Sequence, residues 1–184
     1  MPAFFHWPLE ASSVDVLRSL VGQRIAGIAL TGFEEAKPYH LRLYDVVLET
    51  DLGLVDIDAL EWECTDKFKV SVFLPRIVRV DEPPQRWYRE VDDQKEYLPW
   101  TRLAFEDVAP IRRVVVYSMR DEYSDDGLTE WTEYDHAFLF ERDSGTSFLL
   151  RVEIEMIAGF LFLVQDQEAI AELVAGFTPR LVLE

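Results

Sequence analysis

The chain has 184 residues, 49% of them hydrophobic, with 18 Lys plus Arg against 35 Asp plus Glu and a formal net charge of −17. That length suits one domain able to bury about 70% of its unfolded surface, enough for a core without staples. The negative field opposes binding to nucleic-acid phosphate or anionic lipid, and a single cysteine, Cys64, excludes an intrachain disulfide.

The opening MPAFFHWPLE lacks a basic n-region and a long apolar core, and no run approaches the ~20 apolar residues of a membrane helix. A cytoplasmic protein without a membrane partner is therefore expected. Residues 1–11 read as an apolar entry segment through Phe4, Phe5, Trp7 and Leu9. A short helix follows, with Ser12 and Asp15 as a capping box, Val16, Leu17 and Leu20 on one face, and Gly22 at its end. Ile25–Leu30 reads as the first strand and Thr31–Pro38 as a loop. Strands are predicted over about 40–49, 54–64 and 67–74, with Pro75 ending the last or bending it into 76–80.

Prolines at 83, 84, 99 and 110 punctuate residues 81–110, but Trp87, Tyr88, Tyr97, Trp100 and Phe105 make this stretch too aromatic for a free linker. It reads as an ordered connector lying across the core, with a helical turn near 101–107. A strand at Ile111–Met119, a loop at 120–133, a hairpin and a strand at 159–164 come next. Asp166 then caps a helix whose apolar stripe is Ile170, Leu173 and Val174, with Gly176 at its end and a last strand at Leu181–Leu183.

One pattern is written twice. LETDLGLVDIDALEWEC (48–64) lies on FERDSGTSFLLRVEIEM (140–156) without a gap, so that Glu49, Asp51, Gly53, Glu61 and Glu63 fall on Glu141, Asp143, Gly145, Glu153 and Glu155. Asp-x-Gly is turn chemistry, and the runs beyond it alternate with period two, as half-buried strands do. The Glu-x-Glu match lies where turn chemistry makes no demand. The expected fold is therefore α+β: antiparallel meanders in two pseudo-equivalent copies, about 40–74 and 134–164, with a helix near each terminus. As one domain it would divide into a first half at 1–80, the connector at 81–110 and a second half at 111–184.

No arrangement of residues carries a catalytic signature, and no cofactor motif is present. Glu122, Ser124, Asp126, Gly127 and Glu133 fall on calcium-loop positions, but the flanks read as strands where helices would be needed, so no metal is expected. Neighbouring glutamates on one strand face do not flank a scissile bond from opposite sides. His6, His40 and His136 lack metal-ligand spacing, Cys64 reads as a buried apolar residue, and Trp87, Tyr88 and Trp100 read as core by default and interface anchors otherwise.

What remains is recognition. The candidate partner-binding residues are Glu61, Glu63, Glu153 and Glu155 on the repeated strands, with Asp121, Glu122, Asp125, Asp126, Glu130, Trp131 and Glu133 in the acidic loop. There Trp131 would anchor a basic protein partner drawn in by surrounding carboxylates. In charge and size the chain is similar to bacterial immunity proteins, small acidic proteins that block a cognate toxin. That resemblance implies occlusion of a basic active site and carries over no individual residue. The alternative is a small-molecule binder or enzyme with its site between the two hairpin units.

Overall fold

In the computed structural model, which describes residues 3–63, 71–91, 94–125, 127–155 and 158–184, the fold is α+β and dominated by antiparallel sheet. The strands in chain order are β1 (Ala3–Trp7), β2 (Ile25–Leu30), β3 (Gly32–Lys37), β4 (His40–Tyr44), β5 (Val46–Thr50), β6 (Gly53–Glu63), β7 (Ser71–Val80), β8 (Tyr88–Val91), β9 (Gln94–Tyr97), β10 (Thr101–Ala104), β11 (Ile111–Asp125), β12 (Leu128–Arg142), β13 (Ser147–Glu155), β14 (Ala158–Val164) and β15 (Thr178–Leu183). Two short helices, α1 (Ala11–Arg18) and α2 (Gln167–Val174), complete the fold.

The larger sheet runs β15-β11-β12-β13-β14-β4-β3, with β1 added in parallel along β12. The smaller runs β10-β2-β5-β6-β7, and β8-β9 is a separate hairpin. Alternation along each strand decides the layers. Ile28, Leu48, Val55 and Ile57 of the smaller sheet pack against Phe138, Phe140, Leu150 and Leu163 of the larger, and Leu17 and Leu20 close one end of this core. Each such fully buried side chain contributes about 1.5–3 kcal/mol. Phe148 stacks on Phe140 at 4.6 Å, and the buried Arg142 guanidinium lies against Phe148 and Phe105 at 4.9 and 4.8 Å.

Both outer faces are also covered. On the larger sheet, Val115, Tyr117, Leu139, Leu149 and Val164 receive Ile170 of α2. Asp166 caps α2 by accepting from Ala169 N at 2.8 Å, as its sequence predicts. On the smaller sheet, Trp87 lies over Ala29 and Val47. Beside it Arg86 donates to both carboxylate oxygens of the buried Asp56, at 2.5 and 2.8 Å. The stretch 81–110 is thus held at its start by this indole and guanidinium and further on by β10 pairing with β2 and by the buried Phe105; Trp100 remains exposed.

Several sequence expectations are corrected. The entry segment is strand β1. The residues expected as a loop at 31–38 contain β3, and those expected as a helical turn near 101–107 contain β10. Ser12 and Asp15 form no capping box: the N-cap is Glu10, without a side-chain cap, and Asp15 pairs with Arg18. The strand expected at 40–49 is two strands in different sheets, broken at Asp45 (φ +52), where the chain crosses from β4 in the larger sheet to β5 in the smaller. The stretch about 40–74 therefore spans both sheets, whereas 134–164 stays in one.

The matched hairpins also differ in register. Leu48 pairs with Val55 across a two-residue turn, while its counterpart Phe140 pairs with Phe148 across a longer one. Gly53 (φ +106) and Gly145 (φ +91) both take the left-handed conformation that suits glycine. Because strand faces alternate, the slip of one residue separates aligned positions: Ile57 faces the inter-sheet core and Leu149 faces α2. Cys64 and the predicted strand residues 67–70 lie outside the described residues.

At Gly27 a Cβ would stand 2.6 Å from the Leu103 carbonyl oxygen of β10. Gly27→Ala is expected to displace β10 and to destabilise the fold by about 1–3 kcal/mol. Denaturant titration reads the loss, and amide exchange at 101–104 should rise before the rest of the sheet.

Candidate protein-binding surface

The residues expected as an acidic loop at 120–133 are the distal halves of the two longest strands. The β11–β12 ladder continues to Asp125↔Leu128, so only a tight turn remains, with Gly127 at φ +78. The twelve-residue calcium-loop spacing is spread along two strands and cannot wrap one ion.

This arm is set off from the sandwich by two adjacent β-bulges. Between Tyr117 and Ser118 the partner on β12 jumps from Ala137 to Asp135, leaving His136 as the extra residue. Between Val116 and Tyr117 the partner on β15 jumps from Leu181 to Pro179, leaving Arg180. Bulges increase twist and re-aim side chains. Here Arg180 reaches across β11 to grip the buried Asp135 carboxylate through two contacts of 2.5 Å, and Leu9 N donates to the same carboxylate at 2.7 Å. The β1–α1 connection is thereby tied to the root of the arm.

Beyond the bulges, β1, β12 and β11 form a three-stranded ribbon. Its registers are Phe4↔Trp131↔Glu122 and His6↔Glu133↔Arg120. These six residues share one face, and that face is the open one: Phe4 is 53% exposed, and His6, Arg120 and Glu122 are exposed too. The Arg120 guanidinium lies 4.2 Å from the Trp131 ring and 5.5 Å from Phe4, which holds the indole half-buried and flat against the ribbon. Phe4 stacks near His6 at 6.5 Å. Glu133 accepts from the Ser118 hydroxyl at 3.2 Å. The opposite face carries Thr132, Tyr134, Asp121 and Glu130. It is largely buried; Glu130 is only 2% exposed, and Asp121 accepts from the Tyr134 hydroxyl at 3.0 Å.

Strand alternation thus divides the candidate residues. Glu122, Trp131 and Glu133 stand together in the open, with Phe4, His6 and Arg120 added. Asp121 and Glu130 turn the other way. The expectation of a solvated cluster surrounding Trp131 is corrected for those two. Asp126 lies outside the described residues, as do the side chains of Asp125, Glu61, Glu63 and Glu155, whose backbones belong to β11, β6, β6 and β13. Glu153 is half-buried and ion-paired with the buried Arg151 on the outer face of the larger sheet. Phe4, His6 and Arg120 were not among the partner-binding residues expected from the sequence. Their signal is the alternation AFFHW, which offers Phe4 and His6 to one side of a strand.

Among the described residues no group of His, Cys, Asp or Glu is arranged to hold a metal ion. The arm's face holds a cation, carboxylates and two aromatic rings, a combination suited to adhesion. No family model, curated protein or solved structure matches this chain.

His136 is pressed edge-on against Phe177 at 4.6 Å, and burial pushes its imidazole down to about 4, against a hydrogen bond to the Tyr117 backbone that works the other way. The unfolded chain takes up this proton near 6.5 and the folded one near 4. The neutral imidazole's contribution is therefore intact above the unfolded value and falls away as the solution is acidified through that window, by on the order of 3 kcal/mol. His136→Phe should lose less stability between pH 7 and pH 4.5 than the parent in denaturant titrations. Asp135→Asn strands the Arg180 guanidinium and should cost about 3–5 kcal/mol, measured in the same way at pH 7.

Proposed function

We infer that the protein is an acidic recognition module that captures a basic protein partner on the open face of its β1–β12–β11 arm. The net charge of −17 carries this reading. Nine arginines are paired to the protein's own carboxylates: Arg18, Arg42, Arg76, Arg86, Arg102, Arg112, Arg113, Arg151 and Arg180. These pairs engage half of the 18 Lys and Arg, while the excess carboxylates still set the far field.

Such a field steers a cationic partner toward the surface at up to ~10⁸ M⁻¹s⁻¹ at low salt and fades as salt screens it. At contact, Trp131 and Phe4 supply flat apolar area at low entropic cost, and Glu122 and Glu133 supply acceptors at the rim. An immunity-type role in a reducing cytoplasm fits this chemistry: the partner would be a cationic toxin, and carboxylates standing where phosphates would bind would occlude its active site. The duplicated hairpin would be the ancestral unit from which both sheets were elaborated, with Glu61, Glu63 and Glu155 as secondary contacts.

The test is capture from the native host at low salt, followed by kinetics on the captured protein. One basic partner should be recovered, with an association rate falling at least tenfold between about 20 and 300 mM salt. Trp131→Ala should raise Kd by about 30-fold or more, the effect of losing a central anchor of ~2 kcal/mol. Glu122→Lys should slow association with little change in melting temperature. A partner that binds independently of salt, or is indifferent to both substitutions, would sink this reading.

A further inference from the structure

At the root of the arm, behind the Asp135–Arg180 pair, a cavity of about 190 Å³ opens between the β1–α1 connection and the edge of the smaller sheet. Its walls are apolar: Trp7, Pro8 and Leu9 on one side, Leu74 and Pro75 on the other. The cause of the gap is readable from the backbone. β7 is an edge strand, and Ile77 N points outward, where the Ser13 hydroxyl receives it at 3.1 Å. A strand residue turns its N–H and C=O to the same edge, with period two, so residue 75 also addresses that edge. Being proline, it brings a carbonyl and no donor. Pro8 likewise has no N–H. Two prolines across from one another leave a space that no strand can fill.

The polar residues of the lining are Glu10, Ser13, Arg76 and Asp135. Its lining includes two acidic residues, the exposed Glu10 and the buried Asp135, and Pro75, whose carbonyl addresses this edge. Of the side-chain cations beside it, Arg76 is directed to Asp58 at 3.7 Å and Arg180 is held by Asp135. An apolar chamber whose lining includes an exposed carboxylate residue suits a ligand with an apolar body and a protonated nitrogen. The net charge of the protein acts in the same direction, since it concentrates cations at every opening and repels carboxylates. The volume is below the ~300 Å³ of drug-sized sites and fits a body of about ten heavy atoms.

We propose that this cavity is a binding site for a small arylalkyl amine, its ring packed between Trp7, Pro8 and Pro75 and its ammonium group at Glu10. The site is separate from the open face of the arm, so it stands or falls without the protein-binding reading.

Three isosteres test it in calorimetric titrations of the full chain: phenethylamine, 2-phenylethanol and phenylacetate. The amine should bind about tenfold more tightly than the alcohol, and the carboxylate should not bind. Glu10→Gln should bring amine and alcohol to within about threefold while the melting temperature holds, since Glu10 is exposed and its side chain caps nothing. Leu74→Trp fills the chamber and should abolish binding of both; a circular dichroism melt confirms that this variant is folded. Trp131→Ala should leave amine binding unchanged, which separates this site from the arm. Equal affinity for amine and alcohol in the parent, tighter binding of the carboxylate, amine binding untouched by both Glu10→Gln and Leu74→Trp, or no binding at 10 mM would each overturn the assignment.

Discussion

The architecture depends on the crossing of the chain from the larger sheet back to the smaller at Asp45. There the backbone enters the left-handed region (φ +52), which costs a non-glycine residue on the order of 1 kcal/mol. The carboxylate offsets that cost locally: it accepts from the Thr31 hydroxyl at 2.7 Å and from Arg86 at 2.7 Å. Thr31 marks the outward crossing from β2 to β3, Asp45 marks the return, and Arg86 ties both to the connector through the buried Asp56. Three otherwise distant segments are thus fixed by one carboxylate and one guanidinium. Because β3 and β4 complete the larger sheet while β2 and β5 lie in the smaller, the two sheets cannot slide or separate without breaking this knot.

Charge in this protein works at two ranges. At short range, carboxylates are structural: Asp56 and Asp135 are buried acids held by arginine, and Asp107 is held down to about 2 by hydrogen bonds from Ser144, Thr146 and the Ala109 backbone. At long range the surplus remains and is not neutralised by any of these pairs. An acidic sequence can therefore engage nine arginines in internal ion pairs and still carry a large net negative charge. This division reconciles a dense internal network of ion pairs with a net charge that stays at −17.

Much of the core was legible in the alternation itself. Val114 and Val116 in β11, Phe138 and Phe140 in β12, and Phe148, Leu150 and Val152 in β13 announce one buried face. Asp166 announces a helix by cap chemistry. The failures have physical causes. Residues 118–125 alternate Met119, Asp121 and Tyr123 against Arg120, Glu122 and Ser124, a strand pattern masked by the density of acid. Glu130 looked solvated because nothing in its neighbourhood tells that the opposing face of the ribbon is covered. The break at Asp45 carries no glycine or proline to advertise it, and its stabilising partners lie 14 and 41 residues away. The bulges at His136 and Arg180 exist through pairing with β11, so neither strand alone could reveal them.

The parallel placement of β1 on β12 bears on how the molecule assembles. Ala3–Trp7 finds its hydrogen-bonding edge only at residues 130–134, which are themselves positioned by pairing with β11. During synthesis, Phe4, Phe5 and Trp7 emerge long before that edge exists. Closing so long a loop for five residues of ladder is a late event, after the β11–β12 ribbon has formed. The aromatic face of the arm is consequently finished by a segment that precedes its pairing edge by more than 120 residues.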